Sequence, residues 1–138
     1  LDSPPRSLKP SRTPKCVGNT PFEGPPVKVE NKENPYFKNL NKQIFEFHIA
    51  HNEGNYFCTD DQLKEIEDNN QVAIYYCNNK GQTENQYNPN GSTKNIAGIF
   101  NKQKNVLGMM PHPERMIDKC LSGDDGSIFF KNLINNIK

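Results

Sequence analysis

Five short apolar or alternating runs, separated by turn-forming residues, limit most strongly what this chain can fold into. Residues 27–30 (VKVE) and 44–49 (IFEFHI) alternate between apolar and polar positions, as half-buried strands do. Residues 71–77 (QVAIYYC) are rich in β-forming side chains and end at the turn signal NNKG. Residues 95–100 (NIAGIF) and 105–110 (NVLGMM) flank the polar tetrapeptide NKQK. The pattern predicts strands in all five runs and a hairpin from the last two.

Two further stretches have helical patterning. In CTDDQLKEIEDNN, Thr59 and Gln62 have the spacing of a capping box, and Leu63 and Ile66 form a short apolar stripe. A helix of about two to three turns is expected there. The C-terminal stretch DDGSIFFKNLINNIK begins with acidic residues, which favour a helix start, and continues as an amphipathic pattern. Its apolar residues at helical spacing are Phe130, Leu133, Ile134 and Ile137.

The distribution of prolines divides the chain into two parts. Residues 1–26 hold seven of the eleven prolines and show no apolar periodicity. Such a segment buries too little surface to offset the entropy lost on ordering, so an irregular proline-rich arm is expected at 1–26. Residues 27–138 are expected to form the folded part. A chain of 138 residues has the length of one modest domain.

Charge and apolar content exclude some classes of partner. The formal net charge is +1, and acidic and basic residues are interspersed, so no field of one sign attracts nucleic acid or an anionic membrane. No apolar run has the length of a membrane helix, and the first residues lack the apolar core of a signal peptide. A cytoplasmic location is therefore expected.

The cysteines offer no obvious nucleophile. They are widely spaced and include no CxxC pair, so reduced thiols are expected. A reactive cysteine often lies in a Gly-x-Cys-x-Gly turn near a helix N-terminus, and none of the four has that context. Structural or incidental roles are therefore favoured for Cys16, Cys58, Cys77 and Cys120.

The segment MMPHPER places His112 and Glu114 on either side of one proline, with another proline before them. Each proline fixes its own φ and moves the preceding residue toward extended conformations. In an extended chain, residues two apart project to the same side, so Glu114 reaches one imidazole nitrogen of His112 and leaves the other for chemistry. The pattern predicts an oriented base, although a surface or capping arrangement would produce the same tripeptide.

A metal site is the competing chemical interpretation. His48, His51 and Glu53 lie at or beside one strand end, and His112 with Glu114 would complete a ligand set. Zinc sites, however, usually contain ligand pairs at typical spacings, and two histidines three apart on a strand point to opposite faces. No metal site is therefore predicted.

Several motifs occur together and in a fixed order: VKVEN, IAHNEGNYF, YYCN, NPNGS, IAGIFN, NVLGMMPHPER and the terminal apolar helix. In combination they resemble the glutaminase portion of the phosphoribosylformylglycinamidine synthases, a class I glutamine amidotransferase family of purine biosynthesis. The resemblance extends from about Val27 to the C-terminus. It implies an α/β fold, namely the C-terminal half of a doubly wound, flavodoxin-like amidotransferase domain with β-hairpins and a C-terminal helix.

The resemblance implies a Cys-His-Glu triad, in which a thiolate attacks the side-chain amide of glutamine and ammonia is released. His112 matches the family's general base and acid, and Glu114 matches the residue that orients it. The family's nucleophile lies in an upstream half that this sequence does not contain, so the chain alone is expected to be inactive. The loop expected to face His112 and to bind glutamine consists of Ala50, His51, Asn52 and Glu53.

The resemblance also has implications for partners. A larger synthase subunit that uses ATP and Mg²⁺ is expected to receive the ammonia, while this chain itself binds no cofactor. His48 and Asn52 stand where the family has a proline and a glycine. An alternative function is that of a non-catalytic amidotransferase remnant that acts as an interaction module.

Overall fold

A computed structural model describes most of the chain from residue 25 onward. The residues described are 25–30, 34, 37–38, 40, 42–49, 55–120 and 123–136. The expected arm at 1–26 lies outside this set except for Pro25 and Pro26, and Pro26 already belongs to the first strand. The arm therefore remains a prediction.

One antiparallel sheet forms the centre of the described structure. Its strands are β1 (Pro26–Val29), β2 (Ile44–Glu46), β3 (Val72–Tyr76), β4 (Ile96–Phe100) and β5 (Leu107–Met109). The spatial order is β2-β1-β3-β4-β5, and all four pairings are antiparallel. All five predicted strands are present, and β4 and β5 form the predicted hairpin. The Asn101 side-chain oxygen accepts the backbone N–H groups of Asn105 and Val106 and so closes the hairpin turn.

Helix α1 (Asp60–Asp68) begins at the predicted capping box. The Thr59 hydroxyl accepts the backbone N–H of Gln62 at 3.3 Å, and the Gln62 side-chain oxygen accepts the N–H of Thr59 at 3.0 Å. Asp60 and Asp61 add negative charge to the first turn, which the helix dipole favours. Local sequence therefore determines where this helix starts.

Loss of the capping box should destabilise the protein measurably. Thr59→Ala removes the acceptor of the Gln62 N–H, so a loss of about 1 kcal/mol in the free energy of unfolding is expected. Urea denaturation followed by circular dichroism measures this loss. Thr83→Ala is the matched control, because Thr83 lies exposed in a loop, and a change within about 0.5 kcal/mol is expected there. Equal effects of the two substitutions would contradict the prediction.

Helix α2 (Asp125–Asn136) covers one face of the sheet through the ring of Phe129. The centroid of that ring lies 5.5 Å from the Phe47 ring and 6.3 Å from the Phe45 ring. The predicted apolar face of this helix is partly wrong. Phe130 and Leu133 are only half-buried against the core, Ile134 is 63% exposed, and Ile137 lies outside the described residues.

The first turn of α2 explains why the helix presents Phe129, and not the predicted apolar residues, to the sheet. We call this difference the rotation of α2. Asp125 and Gly126 are buried, and Phe129 lies one helical turn later on the same side. Contacts made by the first turn therefore determine which apolar residues face the sheet, and the spacing of the apolar residues alone does not contain that information.

Helix α1 covers the other face of the sheet. Leu63 packs with Cys58, Val72 and Ile96 in a second, smaller apolar cluster. The consecutive β3 residues Tyr75 and Tyr76 contribute to different clusters, as expected for neighbours that point to opposite faces of a strand. The described part of the chain is thus a sheet between two helices, and neither helix has the length and apolar character needed to cross a membrane.

Candidate active site

His112 and Glu114 contact each other through their side chains. Nδ1 of His112 lies 2.6 Å from Oε1 of Glu114, so the contact expected from the sequence is present. The His112 side chain is 35% exposed and that of Glu114 57% exposed. One ring nitrogen is therefore occupied by the carboxylate, and the ring remains accessible to a reacting group.

The backbone brings the two side chains together in a different way from the one expected. Residues Pro113–Arg115 form a 3₁₀ turn, in which the Arg115 N–H donates to the carbonyl of His112 at 3.2 Å. The expectation of an extended segment is wrong here, because the fixed φ of Pro113 also suits the first position of a helical turn, where its missing N–H has no role. The turn brings the Glu114 carboxylate back toward His112.

The backbone of His112 is hydrogen-bonded to His48, which lies two residues after the end of β2. Its N–H donates to the carbonyl of His48 at 2.7 Å, and the two residues form an isolated antiparallel bridge. Burial, and next the positive charge of Arg115, lower the pKa of the His48 imidazole, which favours its neutral form. Only Ile49 separates His48 from the loop expected to bind glutamine.

That loop itself, formed by Ala50, His51, Asn52 and Glu53, lies outside the described residues. Its expected position facing His112 stays a prediction. The segment that follows it is well anchored: the Tyr56 N–H donates to the Ser92 hydroxyl at 3.2 Å, and the Thr93 N–H donates to the Tyr56 carbonyl at 2.8 Å.

The motif NPNGS supplies this anchor and forms the turn that its composition predicts. The side-chain oxygen of Asn88 accepts the backbone N–H groups of Asn90, Gly91 and Ser92. Gly91 has a φ of +74°, which glycine adopts without steric cost. The Asn90 side chain also donates to the Tyr76 hydroxyl at 3.2 Å, so the turn is fixed to β3.

The carboxyl group of Glu114 is electrostatically biased toward its ionised form. Partial burial raises its pKa, but a hydrogen bond from its own backbone N–H, the contact with His112 and the charges of His112 and Arg115 outweigh that effect, so the pKa is lowered overall. The associated stabilisation is present above the ordinary pKa of glutamate and is lost as the pH falls through the lowered value.

An NMR titration of the Glu114 side-chain carboxyl should reveal this bias. Its midpoint is expected below the ordinary value for glutamate, and His112→Ala should raise it because the substitution removes both a hydrogen bond and a charge that favour the ionised carboxyl group. Thr83→Ala, a substitution at an exposed loop residue, is the control and should leave the Glu114 midpoint unchanged. A Glu114 midpoint that does not respond to His112→Ala would contradict the prediction.

A cavity of about 480 Å³ opens beside the pair, between β5 and α2. His112 and Glu114 are part of its wall, and most of the remaining wall is apolar. The apolar side chains come from Val106, Leu107, Met109, Pro111, Phe129, Phe130 and Leu133.

Strand β5, which borders this cavity, lies at the edge of the sheet. The Met110 N–H donates to the carbonyl of Ala97, so the backbone groups of Met110 point toward β4. Because this direction alternates along an antiparallel strand, the N–H and C=O groups of Leu107 and Met109 point to the open side. Within the described part of the chain, no strand pairs with that side.

The cysteines in the described residues are poor nucleophiles. Cys58 and Cys77 are free and buried, and burial raises the pKa of the Cys77 thiol to about 11. A thiol with that pKa is almost entirely protonated at neutral pH, whereas the thiolate is the reactive form. Cys120 is disulfide-bonded, so the expectation of a reduced thiol is wrong for this residue.

The metal interpretation receives no support from the residues that can be tested. Among the described residues, no three histidine, cysteine, aspartate or glutamate side chains stand close enough together to hold a metal ion. His51 and Glu53 lie outside that set.

A histidine contacted by a carboxylate on an α/β scaffold, with no nucleophile beside it among the described residues, has the arrangement of one part of a triad-type acyl-transfer site. The chain belongs to the CobB/CobQ-like glutamine amidotransferase domain family, whose model matches residues 7–123. The family sequence therefore extends into the proline-rich stretch, well before Val27, where the resemblance was expected to begin.

Two curated relatives have more specific names than the family does. The chain is 70% identical over 112 residues to phosphoribosylformylglycinamidine synthase subunit PurQ of Pelagibacter ubique, covering 81% of this chain and 49% of that protein. It is 41% identical over 113 residues to the PurQ subunit of Salinibacter ruber, covering 81% and 48% respectively. The chain thus spans about half the length of the curated relatives it matches.

A solved structure confirms the fold class. The structure of PurLQS from Thermotoga maritima matches with a TM-score of 0.64 and 31% sequence identity. The match covers 84% of this chain and 47% of the matched chain. The expected fold, one half of an α/β amidotransferase domain ending in a helix, is therefore confirmed.

Proposed function

We propose that this chain provides the base and the orienting carboxylate of the glutaminase site of a phosphoribosylformylglycinamidine synthase. The observation that carries the proposal is the 2.6 Å contact between His112 Nδ1 and Glu114 Oε1 in a chain of the glutamine amidotransferase family. The reaction is hydrolysis of the glutamine side-chain amide to glutamate and ammonia, in the service of purine biosynthesis.

The contact with Glu114 supports a separate role for each nitrogen of His112. Nδ1 is bound to Glu114, so Nε2 takes the proton from the attacking cysteine thiol. The resulting imidazolium is stabilised by the Glu114 carboxylate and then gives its proton to the departing ammonia, which leaves a glutamyl thioester. His112 next takes a proton from water, the hydroxide attacks the thioester, and glutamate leaves as the thiolate is regenerated.

The nucleophile in this proposal comes from the other half of the domain. The sequence contains no Gly-x-Cys-x-Gly, and the matched part of this chain covers only about half of each relative. The open side of β5 and the apolar cavity next to His112 are suited to accept a further strand and the segment that follows it. A cysteine delivered there would approach Nε2 of His112.

We assign glutamine binding to Ala50, His51, Asn52 and Glu53. Support comes from the hydrogen-bonded residues on both sides of this loop. The His48 carbonyl accepts the His112 N–H, and Tyr56 is hydrogen-bonded to Ser92 and Thr93. In an experimental structure of the completed domain with glutamine, these four residues are expected to contact the ligand. A loop on the opposite side of the β4–β5 hairpin from His112 would contradict this assignment.

The proposed partner is the larger synthase subunit, which uses ATP and Mg²⁺ to activate formylglycinamide ribonucleotide and receives ammonia through a tunnel. The match to a chain in PurLQS supports an assembly of this kind. Neither ATP nor a metal ion is assigned to this chain, and nucleic acid and membranes are not among its proposed partners. The proposed location is the cytoplasm.

A non-catalytic interaction module is the second candidate, and the missing Gly-x-Cys-x-Gly motif favours it for the 138 residues alone. A complementation assay separates the two candidates. The chain is mixed with the upstream half of a PurQ relative, and glutamate formation from glutamine is measured. Activity that requires both parts supports the glutaminase proposal, whereas stable association without activity supports the interaction module.

A further inference from the structure

The first two residues of α2 lie between the two backbone segments that border the candidate active site. The buried Asp125 carboxylate accepts the backbone N–H of Glu46 at 2.7 Å through Oδ2, and it pairs with Lys42 Nζ at 2.6 Å through Oδ1. Glu46 is the last residue of β2 and precedes His48 by two positions. Asp125 therefore ties the start of α2 to the strand on which His112 is docked.

Gly126 makes the corresponding contact with the 3₁₀ turn. Its N–H donates to the carbonyl of Met116 at 2.8 Å, which satisfies one of the free donors of the first helical turn. A Cβ atom at position 126 would lie 1.7 Å from the carbonyl oxygen of Pro113 and 2.6 Å from its carbonyl carbon. Only glycine fits this approach of helix and turn, because the obstructing atoms are backbone.

The obstructed group is directly connected to Glu114. The carbonyl of Pro113 and the N–H of Glu114 belong to one planar peptide unit, so a force on the carbonyl oxygen also moves the N–H. The Cα of Glu114 belongs to the same unit, so the Glu114 side chain, whose Oε1 lies 2.6 Å from Nδ1 of His112, moves with it. A displacement at Gly126 is therefore transmitted through a single peptide plane to the contact between the base and its orienting group.

We propose that Asp125 and Gly126 act as a clamp, a pair of positioning residues that holds the His48 strand end and the Pro113–Arg115 turn in register. The clamp touches neither substrate nor reacting atoms. It acts through Glu114 and through the backbone bond between His112 and His48. Its expected effect on kcat rests on the proposed glutaminase function. Its expected effect on the contact between His112 and Glu114 does not.

The test of Gly126 uses the full chain and NMR of the His112 side chain. In the unaltered protein, the Nδ1 proton shared with Glu114 should give a low-field signal, and Gly126→Ala should remove this signal and raise the Glu114 titration midpoint. Gly108→Ala is the matched control, because a Cβ there meets nothing within 4 Å, and it should leave both readouts unchanged.

The direction of the change in melting temperature provides an independent test of the obstructed contact at Gly126. Alanine is the better helix former, so helix propensity alone would raise the melting temperature of Gly126→Ala, whereas the obstructed contact predicts a decrease. A folded Gly126→Ala protein that keeps the low-field signal and the Glu114 midpoint overturns the proposal.

Asp125→Asn tests the other half of the clamp, the contact between Asp125 and the Glu46 N–H, which we call its second arm. This variant also keeps the proposal testable if Gly126→Ala does not fold. Asparagine offers the Glu46 N–H only a neutral amide oxygen, which accepts a weaker hydrogen bond than the carboxylate, and the ion pair with Lys42 is lost. Exchange of the His112 amide hydrogen, which donates to His48, should become about tenfold faster. Asp124→Asn, at the neighbouring and more exposed acid, is the control and should leave the rate unchanged. Equal rates in the two variants overturn this arm.

A kinetic measurement tests whether the clamp affects the reaction. In the domain completed with a relative's upstream half, Gly126→Ala should lower kcat for glutamine and leave KM nearly unchanged, since the clamp orients the base and does not contact the substrate. A change confined to KM would overturn the positioning role. If the completed domain has no glutaminase activity, the proposed function fails, while the NMR result still decides whether the clamp orients Glu114.

Discussion

The 138-residue chain supplied with glutamine is expected to form glutamate and ammonia no faster than background. His112 and Glu114 are in contact, but an imidazole with no thiolate to activate cannot start acyl transfer. The donors of the nucleophile turn, which would stabilise the tetrahedral intermediate, are also missing. Removal of the nucleophile from a triad typically costs about 10⁶ in turnover. Adding the upstream half of a relative should restore activity.

The controls for this measurement are the chain's own thiols. Variants with serine in place of Cys58, Cys77 or Cys120 should give the same background rate, since the first two thiols are buried and the third is disulfide-bonded. Turnover by the unaltered chain that disappears in one of these variants would identify that residue as the nucleophile. The description of this chain as one part of an active site would then be wrong.

Features governed by neighbouring residues could be predicted from the sequence. The capping box of α1 depends on Thr59 and Gln62, three positions apart, and the β4–β5 hairpin depends on two apolar runs around one polar turn. The contact between His112 and Glu114 likewise depends on residues two apart, although the backbone reaches it through a 3₁₀ turn. In each case the interacting residues are close in sequence, so the local pattern itself contains the interaction.

Features governed by distant residues could not be predicted in this way. Strand β1 pairs with both β2 and β3, so residues far apart in sequence determine the order of the sheet. The rotation of α2 depends on Asp125, whose partners Lys42 and Glu46 lie about eighty residues earlier. The motif DDG suggested only a helix start, and its contact with the turn after His112 has no local signature.

The same distinction applies to the candidate site. His112 and Glu114 were identified by a compact motif, because their chemistry requires adjacency. Asp125 and Gly126 were missed, because their importance comes from the backbone atoms they approach, and not from reactive groups of their own. A compact local motif can therefore identify candidate reacting side chains, whereas candidate positioning groups are recognised only in the packed structure.

In the domain completed with an upstream half, substitution of the two paired residues should have unequal effects. His112→Ala removes the proton acceptor and donor of both half-reactions, and a loss of about 10⁶ in kcat is expected. Glu114→Gln keeps the shape of the side chain but removes the charge that stabilises the imidazolium. Its amide N–H also donates to Nδ1 and places the imidazole proton on Nε2, where it blocks uptake of the thiol proton, so a loss of about 10⁴ is expected.

Steady-state glutaminase assays on the two variants and on the double variant measure this difference. Because both residues act on one proton transfer, the double variant should be no slower than His112→Ala alone. Glu84→Gln, at an exposed loop position, is the matched control for the loss of one carboxylate and should retain full activity. Full activity of Glu114→Gln would mean that the 2.6 Å contact with His112 does not orient the base, and losses that simply multiply in the double variant would mean that the two residues act in separate steps.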